Sequence, residues 1–356
     1  GSLTEEAIVA ILKELDPHSA YISKEDVEKA NEPLVGSFEG IGVTFQIFQD
    51  TILVISPVPG GPSDRVGIMA GDKIVTIDGK DAFGEKVNND YVAKHLRGEK
   101  GTKVTLGIKR GKSDELIDYE VIRDKIPLNS IEAAFMLDKN VGYIKLDRFA
   151  QTSNTEFEES LAKLKTQKMK SLILDLRGNT GGYLNIAAEL SNQFLKKDMT
   201  IVYTEGDKSP KQIFNTDKNG KFTDGKLIIL IDEGSASASE IVSGAVQDWD
   251  RGILIGRRSF GKGLVQRPFN LPDGSQVRLT TARYYTPTGR CIQRSYEKGS
   301  EDYYNEMTKR MKHGEFYHSD SIQFPDSLKY STLLSGRTVY GGGGIMPDIF
   351  MPVDTT

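Results

Sequence analysis

The stretch KLIILIDEGSASASEIVSGAVQDW, residues 226–249, decides the fold. Its apolar first half predicts a buried strand, and EIVSGAVQDW after the small-residue turn predicts a helix. Other buried strands, SLILDL and ILIG, occur with the helical stretches TEFEESLAKLK and NIAAELSNQFL. Thr155 and Glu158 have the spacing of a capping box at the start of the first of these helices. Alternating strands and helices predict an α/β domain, which we place over residues 126–356.

Two further segments precede this domain. Residues 1–34 predict an N-terminal helical segment that breaks at Pro17 within LDPHSAYIS. Residues 35–125 are β-rich, with strand patterns in GIGVTFQIF, TILVISPV, KIVTIDG and KVTLGIKRG, each followed by turn residues. The sequence therefore predicts three parts: a helical segment, a β-rich domain and an α/β domain.

The composition excludes several kinds of function. The chain has 356 residues, 38% of them hydrophobic and 27% charged, and its formal net charge is −4. Without a basic run, nucleic acid is not expected as a partner. The single cysteine, Cys291, rules out a disulfide within the chain, and no Cys/His cluster has metal-ligand spacing. No apolar run is long enough to span a bilayer. We therefore expect no metal, no nucleotide and no other cofactor.

Three serines mark the junction between strand and helix. Ser235, Ser237 and Ser239 alternate with alanines in GSASASE. Serine is a favoured helix N-cap, so a capping role is the ordinary alternative for Ser235 and Ser239. The N–H groups at a helix start can also hold an oxyanion, which makes this junction suitable for a nucleophilic serine. A nucleophile needs a base, and the sequence must supply one.

The candidate base is a lysine rather than a histidine. The chain has four histidines: His18, His95, His313 and His318. None of them lies in the α/β pattern around the serines, which argues against a Ser-His-Asp triad without excluding it. Lys262 lies between two glycines in RRSFGKGLVQ, directly after the apolar strand ILIG. Burial lowers the pKa of a lysine and allows it to act as a base, whereas an exposed lysine would be ordinary.

The segment GSASASEIVSGAVQDWDRGILIGRRSFGKGLVQ, residues 234–266, resembles the active-site segment of the carboxyl-terminal processing, or tail-specific, serine proteases. The resemblance implies an α/β protease domain of the crotonase-like fold, in which Ser237 attacks and Lys262 is its base. It also implies that Gln266 orients the lysine amine; positions four apart share one face of an extended chain. Asp248 matches an aspartate of the family, and we expect it to give structural support.

A second segment resembles the glycine loop of the same family. LILDLRGNTGG, residues 172–182, matches the strand and loop whose backbone N–H helps to bind the oxyanion. The resemblance implies one donor at Gly181 or Gly182 and a second at the N–H of Ala238. A tight turn between strand and helix is the alternative, and a phosphate-binding loop is disfavoured because no Gly-Lys-Ser/Thr follows.

The β-rich region resembles a PDZ domain of the kind found in exported proteases. The segments that carry this resemblance are FEGIGV at 38–43 and GIMAGDKIVTIDG at 67–79. In PDZ domains a glycine-containing loop holds the terminal carboxylate of a peptide that adds as a strand. Position by position, this implies a peptide-binding loop at Gly40, Ile41, Gly42 and Val43. A simple turn is the alternative.

Together these resemblances imply a serine endopeptidase that acts on proteins or peptides recognised through their C-terminal tails. Peptide C-termini are the expected partners, an adaptor protein is a possible one, and the family implies an exported, periplasmic or cell-envelope location. Two alternatives stay open: a PDZ scaffold with a catalytically silent protease domain, and an acyl-CoA enzyme on a crotonase-like fold.

Overall fold

The computed structural model describes residues 3–113 and 115–354; residues 1, 2, 114, 355 and 356, which fall within the predicted segments, lie outside the described residues. The chain divides into two compact units. Residues 3–35 and 129–354 form the larger unit, and residues 36–128 form the smaller unit. The segment that the sequence sets apart as N-terminal therefore folds together with the α/β region.

The larger unit begins with two helices and a short strand: α1 (Leu3–Leu15), β1 (Ala20–Ile22) and α2 (Lys24–Val35). Helix α1 ends two residues before Pro17, since a proline inside the helix would remove a backbone donor and clash with the preceding turn. A turn formed by residues 16–19 then leads into β1.

The smaller unit is built mainly from strands. Its elements are β2 (Ser37–Gly40), β3 (Val43–Phe48), β4 (Thr51–Pro57), α3 (Pro62–Val66), β5 (Lys73–Ile77), β6 (Lys80–Asp81), α4 (Asn89–Leu96), β7 (Lys103–Lys109), β8 (Leu116–Ile122) and β9 (Asp124–Pro127). The main sheet has the order β3-β4-β5-β7-β8, with β6 beside β5, and β2 pairs separately with β9. Strand β3 is therefore an edge of this sheet.

The remainder of the larger unit alternates strands and helices. Its elements are β10 (Ile131–Met136), β11 (Val141–Leu146), α5 (Ser153–Thr166), β12 (Ser171–Asp175), α6 (Leu184–Asn192), β13 (Thr200–Gly206), β14 (Ser209–Asn215), β15 (Lys226–Ile231), α7 (Ala238–Asp248), β16 (Ile253–Gly256), β17 (Leu264–Asn270), β18 (Gln276–Tyr285), α8 (Ser300–Lys312), β19 (Lys329–Ser331), β20 (Thr338–Tyr340) and β21 (Ile349–Phe350). Two short 3-10 helices lie at Ser319–Ser321 and Asp326–Leu328.

Two sheets organise this unit. The first has the order β10-β11-β12-β15-β16-β21 and is parallel except where β10 meets β11. Its central strands β12 and β15 carry buried Leu172, Leu174 and Ile229, which pack in one core with α6 and α7. The second sheet is antiparallel and includes β17 and β18; β1 pairs with β18, so the N-terminal segment is part of it. This is the α/β architecture expected from the alternating pattern.

One local prediction is wrong. The structure begins α5 at Ser153, so Thr155 lies inside the helix and caps nothing. The chain is already in a helical conformation at Thr152, which moves the helix start ahead of the predicted box. Glu158 instead accepts hydrogen bonds from Gln193 and Lys221.

Candidate active site

A cleft of about 530 Å³ opens at the carboxyl ends of the parallel strands β12 and β15. The loops that follow these two strands bring Gly181 and Ser237 to the cleft. The segment that leads into β17 brings Lys262, and β17 itself carries Gln266. In open α/β sheets the carboxyl ends of the strands are where ligand sites form. The structure therefore gathers the candidate residues from both quoted segments at one place.

The three serines have different surroundings. Ser235 and Ser239 are fully buried, and their hydroxyls donate to the carbonyls of Leu176 and Asn179, each at 2.8 Å. These two serines therefore attach the start of α7 to the loop after β12. Ser237 is half-buried and lines the cleft, so its hydroxyl is the accessible one of the three.

The backbone at Ser237 is strained. Its φ is 56° and its ψ is −111°, a region that residues with a Cβ rarely adopt. A nucleophile on a sharp turn between strand and helix shows this kind of strain, because the turn lifts the side chain out of the surface. The buried Tyr284 hydroxyl lies 3.0 Å from the carbonyl oxygen of Ser237 and 2.7 Å from that of Lys262. It links the two segments of the site.

Glu240 connects the same two segments through a buried carboxylate. Its oxygens accept from the N–H of Ser237 at 2.8 Å and of Lys262 at 2.9 Å, from the N–H of Gly261 at 2.7 Å, and from the Ser259 hydroxyl. Burial raises the pKa of Glu240, and the four donors lower it in part. The carboxylate thus fixes the backbone of both the candidate nucleophile and the candidate base.

Lys262 and Gln266 are in contact, in agreement with what the family resemblance implies. The amine Nζ of Lys262 donates to Oε1 of Gln266 at 2.8 Å. Burial lowers the pKa of Lys262; the nearby Asp16 and Glu240 raise it and Arg278 lowers it further. The net direction is downward, which favours the uncharged amine that a general base requires.

A histidine also reaches this region, which the sequence alone did not indicate. The backbone carbonyl of His18 accepts from Nε2 of Gln266 at 2.5 Å. Burial, together with the charge of Lys262, lowers the pKa of the His18 imidazole to about 4. His95 lies on α4 of the smaller unit, and His313 and His318 are exposed.

The predicted oxyanion donors lie beside Ser237. Ala238 is the first residue of α7, so its N–H has no acceptor within the helix. A Cβ on Gly181 would lie 2.8 Å from Cβ of Ser237 and 3.0 Å from the nitrogen of Ala238, so only glycine fits there. The N–H of Gly181 itself donates to Oδ1 of Asn179, which leaves Gly182 as the better glycine candidate.

Asp248 lies at the far end of α7 from Ser237. It is fully buried, pairs with the Arg290 guanidinium at 2.7 Å and accepts from the N–H and hydroxyl of Thr288. It is not among the charges that act on Lys262. Its contacts are those of a residue that anchors α7.

The predicted peptide-binding loop lies next to edge strand β3 of the smaller unit. Gly42 has a φ of +71°, and a Cβ there would lie 2.9 Å from Cδ1 of Ile126. The carbonyl of Ile41 accepts from both the N–H and the hydroxyl of buried Ser63. The loop that contains Gly40, Ile41, Gly42 and Val43 is therefore held in one conformation beside an edge with open backbone groups.

Among residues 3–113 and 115–354, no three His, Cys, Asp or Glu side chains converge in a way that could hold a metal ion. Within the same residues, no helix is both long enough and apolar enough to cross a membrane.

Known proteins resemble this chain in both sequence and fold. The sequence profile of Peptidase family S41 matches residues 140–300, and that of the PDZ domain matches residues 40–121. A "Carboxy-terminal-processing protease" of Bartonella bacilliformis is 38% identical over 296 residues, which are 82% of this chain and 67% of that protein. A "Probable CtpA-like serine protease" of Staphylococcus haemolyticus is 36% identical over 294 residues, 82% of this chain.

The fold is shared more widely than the sequence. The photosystem II D1 C-terminal processing protease matches with a TM-score of 0.51 and 24% identity, covering 98% of this chain and 82% of that one. The chain spans only 58% of the length of the Staphylococcus haemolyticus relative. The smaller unit is a PDZ domain and the larger unit has the S41 peptidase fold. From these matches and the identity to the Bartonella protein, the chain belongs to peptidase family S41, the family of the carboxy-terminal-processing proteases.

Proposed function

We propose that this protein is a serine endopeptidase in which Ser237 is the nucleophile and Lys262 the general base. The observation that carries the proposal is the contact of the Lys262 amine with the neutral amide of Gln266, in the cleft that Ser237 lines. A carboxylate partner would hold the amine protonated, whereas an amide oxygen orients it without adding charge. Burial also lowers the pKa of Lys262, which likewise favours the uncharged amine.

The proposed reaction begins with attack of Ser237 Oγ on the peptide carbonyl. The uncharged Nζ of Lys262 takes the hydroxyl proton, and the ammonium then returns it to the leaving amine. The strained turn at Ser237 presents the hydroxyl to the cleft, and Glu240 keeps the two backbone segments in register. Water then attacks the acyl-enzyme: Lys262 takes a proton from the water and returns it to Ser237 Oγ as the ester bond breaks.

The negative charge on the carbonyl oxygen would be held by two backbone donors. The N–H of Ala238 at the start of α7 is one, and the N–H of Gly182 is our choice for the other because that of Gly181 is already bonded to Asn179. Donors fixed in this way require no reorganisation as the charge develops, which is why they lower the barrier.

We also propose that the PDZ domain selects substrates by their C-terminal tails. Edge strand β3 offers backbone groups to an added strand, and the loop at Gly42 is fixed by Ser63 beside it. The N–H groups of Gly40, Ile41, Gly42 and Val43 are the proposed donors for the terminal carboxylate. An exported location and an adaptor partner stay predictions from the family resemblance.

The test of the protease activity is a digest of an unfolded protein, read by mass spectrometry. We expect internal cleavage by the wild type and none by Ser237→Ala. Equal cleavage by both would remove Ser237 as the nucleophile, and no cleavage by either would favour the alternative of a PDZ scaffold.

The test of tail recognition compares one peptide with a free and an amidated C-terminus. We expect the wild type to prefer the free acid, and Gly42→Val to lose most of that preference, because a side chain there strains the backbone and contacts Ile126. Equal cleavage of both peptides by the wild type would remove carboxylate capture from the mechanism.

A further inference from the structure

The turn between α1 and β1, residues 16–19, is organised around one buried carboxylate. Asp16 is 7% exposed and accepts from the N–H of His18 at 2.8 Å, from the N–H of Ser19 at 2.9 Å and from the Ser19 hydroxyl. It also accepts from the hydroxyl of Thr280 on β18 at 3.0 Å. The turn is thus closed on itself and attached to the second sheet of the larger unit.

The same turn contacts the amide that orients the lysine. The carbonyl of His18 accepts from Nε2 of Gln266, and Oε1 of the same amide accepts from Nζ of Lys262. An amide has one donor end and one acceptor end, so the His18 carbonyl decides which end faces the amine. Neither Asp16 nor His18 lines the cleft, so this contact acts from behind its wall.

The orientation of that amide has a chemical consequence. An uncharged lysine amine has two N–H groups and one lone pair. When it donates an N–H to Gln266 Oε1, the lone pair stays available for the proton of the serine. If the amide were reversed, its NH₂ group would donate to that lone pair and occupy the site that takes the proton.

Helix α8 covers the turn from the outside. The Nε2 atom of the His18 ring lies 2.8 Å from the Tyr303 hydroxyl, and the two rings meet edge to face at 5.2 Å. The Tyr304 hydroxyl donates to the carbonyl of Pro17. The turn is therefore fixed by contacts on both sides, from β18 and from α8.

We propose that the turn at residues 16–19 is the element that orients the base, and that Asp16 is a positioning residue acting on Lys262 through the His18 carbonyl and Gln266. This inference rests on the proposed function, since it assigns a role to the amide only if Lys262 is the base. It adds the N-terminal segment to the catalytic apparatus, although that segment lies outside the part of the chain matched by the family profile.

The test is a double-mutant cycle between Asp16→Ala and Gln266→Ala, with kcat measured on the pH plateau of each variant. We expect Asp16→Ala to lower kcat by about 10- to 100-fold, because a small misplacement of a catalytic group has effects of this size. The KM should change by no more than about twofold. The double variant should be no slower than Gln266→Ala alone, since both changes disable the same step. The rate at which a fluorophosphonate labels Ser237 should follow the same pattern.

Two further variants separate positioning from general stability. Asp16→Asn keeps an oxygen where Oδ1 receives three of the bonds and should recover most of the activity. Asp250→Ala is the matched control, since Asp250 also holds a loop of the larger unit, through Ser335 and Arg337. It should leave kcat per folded molecule unchanged. Melting temperatures are measured throughout, and Thr280→Val replaces Asp16→Ala if that variant does not fold.

The outcomes are distinct. The positioning role would be overturned if the effects of Asp16→Ala and Gln266→Ala on kcat multiply in the double variant. It would also be overturned if Asp16→Ala has the kcat of the wild type. An active Ser237→Ala enzyme would instead overturn the proposed function itself. If Ser237→Ala is inactive and the cycle is non-additive, both proposals stand.

Discussion

Glu240→Gln is the substitution whose cost can be worked out most directly. The glutamine oxygen can take the place of Oε2 and keep the N–H groups of Ser237 and Lys262 bonded. The amide nitrogen then faces the Ser259 hydroxyl, which can rotate and accept, and the N–H of Gly261, which cannot. One buried donor is left without a partner, at a cost of about 1–3 kcal/mol. In a unit of this size each kcal/mol lowers the melting temperature by about 2–4 °C.

Glu240→Ala should be far more damaging. All four donors lose their acceptor, and at about 1–3 kcal/mol each the sum approaches the whole stability of a typical domain, about 5–15 kcal/mol. We therefore expect Glu240→Gln to fold with a reduced kcat, since the segments of Ser237 and Lys262 are less firmly held, and Glu240→Ala to fail to fold.

The assay is urea unfolding followed by tryptophan fluorescence. Trp249 is the single tryptophan of the chain and directly follows α7, so its signal reports on the larger unit. Glu189→Gln, on the exposed face of α6, is the matched control and should change stability by no more than about 0.5 kcal/mol. The reasoning fails if Glu240→Gln unfolds at the same urea concentration and cleaves at the same rate as the wild type. It fails equally if Glu240→Gln is as damaged as Glu240→Ala.

Three other expectations follow from the same geometry. The rate of peptide cleavage should rise with pH through the pKa of Lys262, which burial sets below its ordinary 10.5. Lys262→Arg should be inactive at every pH, because arginine does not lose its proton. Cleavage by that variant would show that the lysine is not the base. Ser237→Gly should be more stable than Ser237→Ala by about 1 kcal/mol, because glycine tolerates a φ of 56°. Urea unfolding measures this difference, and equal midpoints for the two variants would show that the backbone at Ser237 is not strained. Burial lowers the pKa of His18 from 6.5 to about 4, so between these two pH values the native state binds fewer protons than the unfolded state. The free energy of unfolding of the larger unit should therefore decrease by about 2–3 kcal/mol as the pH falls through this window. Stability measured at pH 7, 5 and 4 should depend less on pH in His18→Gln, and an unchanged dependence would contradict the assignment.

The sequence was most informative where the site is local. Ser237, Lys262 and Gln266 lie within one continuous segment, and the alternation of strand and helix places them at one end of the sheet. The resemblance implies the contact of Lys262 with Gln266 that the structure contains, and their i, i+4 spacing is compatible with it. The interpretation of Ser235 and Ser239 as neighbours that serve the turn also agrees with their buried hydrogen bonds.

The contribution of the N-terminal segment could not be predicted in this way. Asp16 and His18 reach the site because β1 pairs with β18, a contact between parts of the chain that are far apart in sequence. A pairing of this kind leaves no periodic signal in either segment. The distance along the chain argues against a role for the histidines, and for His18 the fold makes that distance irrelevant.

The sequence contains a signal for the role of Glu240. Ser237 and Glu240 have the same three-residue spacing as Thr155 and Glu158. The carboxylate of Glu240 does reach back to the N–H of Ser237, whereas Thr155 lies inside α5. The spacing alone cannot distinguish the two pairs, because the position of the helix start decides which of them is a cap.

The way in which the PDZ unit leaves and rejoins the chain has an evolutionary consequence. Strands β2 and β9 run side by side, and the N–H of Leu128 donates to the carbonyl of Gly36 at 2.9 Å, so the unit begins and ends at the same point. Relative to the rest of the chain, the PDZ unit is an insertion whose two ends lie side by side. The entropic cost of such an insertion grows only slowly with its length. A recombination event could exchange it for another domain with adjacent termini and leave the order of every catalytic element unchanged. Peptide selectivity and peptide-bond chemistry could thus diverge at separate rates within one gene.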